Sequence, residues 1–229
     1  AVGSNIRIDS RGLEVMRILP RLNEDINEEW ISDKTRFAYD CLKYQRLDKA
    51  YIKKDGKLSP VTLNEAYQFI AEKLTTLKGA EIAALIGDLT STDEALALKL
   101  LMQKLGSDNI DCRQPGSKVN PDDRASYTFN TTIAGIEKAD SCLLIGTNPR
   151  VQAPIINARI RKRYSAGNFQ VAAIGLECDL TYPYLNLGNE VQILKDILQE
   201  NSEYCKILEN SINPMLIIGY NVVSEKDGE

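Results

Sequence analysis

The chain has 229 residues, with 28 basic and 32 acidic side chains, a formal net charge of −4, five cysteines and no histidine. Without histidine there is no imidazole base, no Ser-His-Asp or Cys-His pair and no His-ligated zinc or haem. The negative balance argues against a general nucleic-acid or anionic-membrane binder; Cys41, Cys112, Cys142, Cys178 and Cys205 form no Cys-x-x-Cys, so neither a zinc knuckle nor a thioredoxin-type couple is written here.

An odd, scattered cysteine set gives no disulfide framework and fits a reducing compartment. The length suits one large α/β domain, or one domain with a small attachment. Apolar residues at 43% and charged residues at 26% are ordinary for a soluble globular chain. No apolar run approaches the roughly 20 residues that span a bilayer, so no direct membrane insertion is expected. Residues 1–10 lack Met, a basic n-region and an apolar h-region. The chain therefore reads as an excised piece rather than an intact translation start.

Residues 5–9 alternate polar and apolar, as a half-buried strand does. Arg11 and Gly12 make a turn, and 13–19 predict a second strand of a hairpin. A polar stretch, 23–29, leads to the single tryptophan, Trp30. Ser32 predicts the cap of a short helix through Phe37 and Tyr39. Residues 53–57 form a turn. Residues 1–60 thus read as a small β-containing attachment, not a self-sufficient domain.

From residue 61 the pattern becomes strand–helix alternation. Thr62 and Glu65 make a capping box ahead of Ala66, Phe69, Ile70, Lys73 and Leu74 at helical spacing. Residues 81–87 are a short apolar strand. A helix follows over 92–105, with Asp93 and Glu94 in its first turn and Gly106 ending it. Residues 109–112 are a brief strand, 115–130 a polar loop and 141–146 a third strand. A basic helix over roughly 151–165, a strand over 169–174, a long helix over 189–208 and a fifth strand over 214–219 complete the order. Apolar strands, each followed by a helix, predict an open parallel Rossmann-like sheet with helices on both faces and right-handed crossovers. The last residues fade into charge straight after the fifth strand, so this α/β domain, 61–229, reads as truncated at its C-terminus.

The strongest candidate site is the strand-to-helix turn Gly146, Thr147, Asn148 and Pro149. Glycine lets backbone approach a ligand, Asn hydrogen-bonds it, and Pro suits a first helical turn whose free N–H groups attract phosphate. The carboxyl ends of strands in an open α/β sheet are the usual ligand position. A tight βα turn with no ligand is an equal reading of the same residues. Neither G-x-G-x-x-G nor a P-loop is present. Arg159, Arg161, Lys162 and Arg163 either meet an anion or acidic partner or form a solvated helix face, the plainer reading. Tyr182, Pro183 and Tyr184 make either an exposed aromatic contact or loop packing. Cys142 and Cys178 suit small buried apolar positions, and Asp122 and Asp123, beside Pro121, suit solvent. No residue stands out as catalytic or metal-ligating.

One stretch is more specific. Residues 28–40 run Glu-Glu-Trp-Ile-Ser-Asp-Lys-Thr-Arg-Phe-Ala-Tyr-Asp, followed by Arg46 and Leu47. This text resembles the large iron–sulfur subunit of respiratory complex I, the 75-kDa type of mitochondria and alphaproteobacteria. Residues 14–27, Ala139 and Asp140 with 143–149, and 180–184 are similar to the same family.

The resemblance implies a relation to the molybdopterin oxidoreductases, such as formate dehydrogenase and nitrate reductase. In those enzymes the last ligand of a [4Fe–4S] cluster lies in a Cys-x-Lys-Gly-Arg-Phe type segment. Here Ser32 stands at that cysteine, Lys34 persists, and Cys41 lies too far along to replace the ligand. Iron–sulfur clusters need thiolates, so the resemblance implies a lost cluster site. It also implies an acidic residue after the strand at 169–174, to hold a nucleotide; here Ile174 is followed by Gly175. The turn 146–149 is then a vestigial phosphate turn.

The resemblance thus implies a structural, non-redox segment, itself non-catalytic and without cofactor. The parent subunit would carry 4Fe–4S and 2Fe–2S clusters, and the parent complex FMN. Electrons would pass from NADH through these to quinone, coupled to proton translocation. Expected partners are other peripheral-arm subunits and the cluster-bearing N-terminal domain of the same subunit, with residues 1–60 nearest that domain; no nucleic acid is expected. The expected place is peripheral on the inner membrane, on the cytoplasmic side in bacteria or the matrix side in mitochondria. A competing reading, a catalytic fragment of a molybdopterin guanine dinucleotide-dependent oxidoreductase, predicts a Cys near 32 and an acid near 175. A free-standing nucleotide-binding module is a third, resting on 146–149 alone.

Overall fold

A computed structural model describes residues 2–87, 89–112, 118–120, 122–226 and 228. Residues 115–117 and 121 of the expected polar loop, and 227 and 229 of the charged tail, lie outside the described residues. Strands β1 (Ile6–Arg11) and β2 (Glu14–Pro20) pair antiparallel around Gly12. The register shifts between Asp9 and Ser10, leaving Met16 as a bulge. Helix α1 (Asp33–Phe37) starts at Ser32, whose hydroxyl accepts from the Thr35 N–H at 3.2 Å, and continues into one 3-10 turn, Ala38–Leu42. Strands β3 (Ala50–Lys54) and β4 (Lys57–Val61) form a second hairpin across Asp55 and Gly56, both at positive φ. Next come α2 (Leu63–Thr75), β5 (Ala84–Leu85), α3 (Thr92–Lys104) and β6 (Ile110–Asp111). Then follow β7 (Ser141–Ile145), α4 (Pro149–Gln152), α5 (Pro154–Ser165), β8 (Gln170–Ile174) and β9 (Leu185–Gly188). Helices α6 (Gln192–Leu198) and α7 (Glu203–Glu209), strand β10 (Pro214–Ile218) and helix α8 (Tyr220–Ser224) close the order.

The chain divides into two compact units: 1–43 with 115–229, and 44–114. The first holds a four-stranded parallel sheet in the order β10-β7-β8-β9. From β7 the chain adds β8 and β9 on one side, then returns to lay β10 on the other. The direction of winding therefore switches between β7 and β10. Every residue of β7 is buried, as a strand covered on both faces requires. Cys142 and Leu144 pack with Val171 and Met215 against Ile156 and Ile160 of α5. Leu143 and Ile145 pack with Ala172 and Ile174 against Tyr204 of α7 and the apolar side of α6. Period-two alternation thus feeds two layers from one strand.

The second unit is smaller, with Ile52, Ile82 and Met102 buried in it. Ser107, also buried, donates its hydroxyl to the Ile82 carbonyl at 2.7 Å. Its helices carry complete capping boxes, Thr62 with Glu65 and Ser91 with Glu94. Thr62→Ala and Ser91→Ala should each cost about 1 kcal/mol, measured as a shift of the urea midpoint.

Several expected elements differ. The five predicted strands do not share one sheet. Strands β5 and β6 pair with each other in the second unit, and the fourth strand of the sheet that holds β7 is β9, which pairs with β8 and whose Leu-Asn-Leu-Gly text is too short and polar to announce itself. Residues 44–60 fall in the same compact unit as 61–114. The long helix over 189–208 is two, because Glu200 takes φ +59° and Ser202 caps α7 afresh. The basic helix is broken by Pro154, which opens α5. Cys142 is buried as expected, and burial pushes its thiol up to about 12; Cys178 is only half-buried and lies outside the strands.

Candidate functional site

The candidate turn lies at the carboxyl end of β7, next to the winding switch. Gly146 takes φ +57°, and Asn148 precedes Pro149, the first residue of α4. Two donors of the turn are already satisfied. Gln152 on α4 places its Oε1 to accept from the Thr147 hydroxyl at 2.6 Å and from the Asn148 N–H at 3.2 Å. Asn148 Oδ1 is buried and has no partner among the described residues. Gly175, where the family resemblance expects an acid, ends β8 and donates its N–H to the Gly188 carbonyl at 2.8 Å. These residues do not fit a pterin dinucleotide: Gln152 takes the Thr147 hydroxyl and the Asn148 N–H, the expected acid is absent at Gly175, and the Asn148 Oδ1 is a buried, unpartnered acceptor among the described residues.

The cluster position fails a parallel test. Ser32 is a helix cap, its hydroxyl engaged with Thr35 N and, at 3.0 Å, with Thr35 Oγ1. Lys34 is exposed. The Cys41 thiol is exposed and donates to the Ala38 carbonyl at 2.6 Å. Residues 1–40 contain no cysteine, and no group of three or more His, Cys, Asp or Glu able to hold a metal occurs among the described residues. A [4Fe–4S] cluster does not fit this donor set.

The basic helix is a solvated face only in part. Arg159 is 3% exposed. Its Nε and Nη2 donate to the Ile26 carbonyl at 3.3 and 3.2 Å, Nη2 also reaches the Glu24 carbonyl, and Nη1 pairs with Glu137 and, at 3.4 Å, with Glu28. Lys162 bridges the same two carboxylates, Glu137 at 3.0 Å. Arg163 caps backbone, donating to the carbonyls of Ala139, Gly167 and Asn168 at 2.7, 2.7 and 3.1 Å, with its guanidinium 5.0 Å from the Phe169 ring centre. Only Arg161 and Lys162 of the four are exposed. The helix therefore fastens the loop at 23–28 to the sheet layer. Asn27, 1% exposed, finishes the fastening: it accepts from Asn5 N at 2.8 Å and donates to the Arg21 and Glu28 carbonyls, both at 3.1 Å. The Tyr182 segment is loop packing. Tyr182 is buried, stacks on Tyr164 with ring centres 5.9 Å apart and donates to Asn157 Oδ1 at 2.9 Å, while Tyr184 binds both backbone groups of Cys178.

Burial raises the Glu137 carboxyl, but hydrogen bonds from Lys162 and Arg159 outweigh it and hold the group below its ordinary 4.5. A depressed carboxyl contributes stability that is complete above its unfolded value and fades as pH falls through the folded one. Acidification below 4.5 should therefore loosen the 23–28 loop, seen as faster amide exchange at Ile26 and Glu28. Glu137→Gln should flatten that dependence.

A groove of about 550 Å³ follows the outer edge of β10, lined by Tyr127, Phe129 and strand residues, and offers no acid, amine or thiol. Gln152, Glu137 and Asn27 are the residues that sequence reasoning missed. Only Gln152 left a trace, standing one helical turn after Asn148.

The architecture, a parallel sheet covered on both faces and preceded by a β-hairpin segment, defines an α/β protein. Residues 46–229 match the family model of molybdopterin oxidoreductase, and the chain belongs to that family. Residues 1–40 match a second model, NADH-ubiquinone oxidoreductase NDSU1/NuoG-like, 4Fe-4S domain. The chain is 50% identical over 228 residues to an NADH-quinone oxidoreductase subunit of Rickettsia prowazekii, covering 100% of this chain and 34% of that protein. It is 47% identical over 228 residues to NADH dehydrogenase [ubiquinone] iron-sulfur protein 1, mitochondrial, of Solanum tuberosum, covering 99% and 31%. It is 46% identical over 242 aligned residues to the NADH-ubiquinone oxidoreductase 75 kDa subunit of Reclinomonas americana, covering 100% and 35%. The chain thus spans about a third of the length of these relatives. The resemblance seen at residues 14–47 is borne out along the full chain. No helix among the described residues is long and apolar enough to cross a membrane.

Proposed function

We propose that the chain is a structural, non-redox segment of the large iron–sulfur subunit of an NADH:quinone oxidoreductase. That complex would pass electrons from NADH through FMN and 4Fe–4S and 2Fe–2S clusters to quinone, coupled to proton translocation. The observation that carries the reading is Ser32: a chain half-identical to these subunits spends its hydroxyl as a helix cap where a ligand thiolate would be needed. The segment holds no catalytic residue and no cluster, and the turn Gly146, Thr147, Asn148 and Pro149 is a relic of a phosphate turn on a Rossmann-like sheet. The division into a cluster-type β segment (1–60) and an α/β domain (61–229) is one of descent rather than compactness; the change from one family match to the next, between 40 and 46, supports drawing its boundary earlier. Partners would be other peripheral-arm subunits and the cluster-bearing domain of the same subunit. The place would be peripheral on the inner membrane, facing the cytoplasm in bacteria or the matrix in mitochondria. Metal analysis and visible absorbance of the purified chain test the reading: sub-stoichiometric metal is expected, and stoichiometric iron or molybdenum overturns it.

A further inference from the structure

In an open α/β sheet, ligands bind outside the carboxyl ends of the strands, at the point where winding reverses. Here that point is the crevice between β7 and β10, and three glycines meet at it: Gly146 after β7, Gly175 after β8 and Gly219 after β10. Glycines in such a place normally let a ligand approach backbone. Here Gly219 lets backbone approach backbone. A Cβ on Gly219 would run into the carbonyl of Gly146. Gly175 lies close by as well, although a Cβ there would be in ordinary contact, 3.6 Å from the Gly146 Cα.

Their amides are spent in the same way. Gly146 N–H donates to Ile174 O, Gly219 N–H to Ile145 O and Gly175 N–H to Gly188 O, each at 2.8 Å. The ladder of the sheet therefore runs on past the strand ends and draws them together, where a binding crevice needs free N–H groups.

Two side chains complete the closure. Val222, on α8, lies directly over Gly146, so that a Cβ there would overlap its Cγ2. The same valine packs against the second core layer with Leu143, Ile145, Ala172 and Ile174. Helix α8 is held from outside by Lys118, whose N–H donates to Val223 O at 3.1 Å and whose ammonium donates to Lys226 O at 2.6 Å. Gln152 supplies the second element: its Oε1 takes two donors of the turn, Thr147 O–H and Asn148 N–H. An uncharged amide oxygen thus stands where a phosphate oxygen would be received.

We propose that the crevice is closed from within the chain, with Val222 of α8 as its occupant and the Gln152 amide oxygen in place of an anion's oxygen, so that pyrophosphate-bearing ligands are excluded. The proposal rests on the scaffold reading and states how the fold enforces it.

The test is calorimetry of the whole chain with inorganic pyrophosphate, joined to amide shifts at Gly146, Thr147 and Asn148. The native sequence should give no heat and no shift. Gln152→Ala with Val222→Ala should gain affinity by at least about tenfold, with shifts confined to those three amides. Gln152→Glu keeps the acceptor and adds a charge, so it should stay silent. Val222→Ala alone carries the same test should the double variant not fold. Binding by the native sequence, or a folded variant carrying Val222→Ala that stays silent, overturns the closure and leaves the scaffold reading standing. Stoichiometric iron or molybdenum would overturn the scaffold reading instead.

Discussion

Arg159→Met should lower the stability of the unit that contains it by about 3 kcal/mol. Methionine keeps most of the stem volume, so little of the loss is a cavity. The cost comes from what the guanidinium leaves behind. The carbonyls of Glu24 and Ile26 lose their donor, and Glu28 and Glu137 are left facing each other with only Lys162 between them. A buried ion pair adds little when compared with apolar packing, but removing one partner strands the other. Arg159→Lys should recover only part of the loss, since one ammonium cannot reproduce a fork that reaches two carbonyls and two carboxylates at once. Arg161→Met, on the exposed side of the same helix, should lie within about 0.5 kcal/mol of the native chain. Urea unfolding gives the ranking. Equal losses at 159 and 161 would mean that the helix carries its charge on the surface after all.

This pair of arginines also shows how far the sequence could be read. Four basic residues within five positions look like one patch, and periodicity alone does not separate them. What separates them is Glu137 and the carbonyls of residues 24 and 26, more than twenty residues away in the chain and brought close only by the fold. Signals that act within one turn were legible. Ser32, Thr62 and Ser91 cap their helices because a hydroxyl at the N-cap needs only the N–H three residues on. Gly106 ends α3 at φ +69° for an equally local reason. The apolar runs of β7 and β8 were legible because strands covered on both faces leave few polar positions, and β10 carries such a run although it is an edge strand.

What sequence reasoning missed was set by distance or by competition. Strand β9 was lost because four residues with one Asn and one Gly carry no pattern. The break between α6 and α7 was lost because a single left-handed residue, Glu200, interrupts an otherwise helical text. At the candidate site the turn itself was legible, but its state was not. Whether Gly146 and Gly219 admit a ligand or each other depends on Val222, seventy-six residues beyond Gly146, and on an amide four residues after Asn148.

Leu144→Ala should be the most damaging single truncation in the sheet, at about 3 kcal/mol. Leu144 is fully buried in the central strand, among Cys142, Ile156, Ile160 and Val171. Its removal opens a void that neighbouring strands, pinned by their ladder on both sides, cannot collapse into. Leu143→Ala removes the same atoms on the opposite face, where Tyr204 and the α6 side chains close the layer. It should cost nearly as much, because the parallel sheet is covered on that side too. Leu216→Ala, on the edge strand β10 with 54% of the residue exposed, should cost less than about 1 kcal/mol. Thermal or urea unfolding of the three variants reads the two layers separately. A cheap Leu143→Ala would mean that α6 and α7 do not bear on the sheet, and that Val222 has no second layer to anchor it over Gly146.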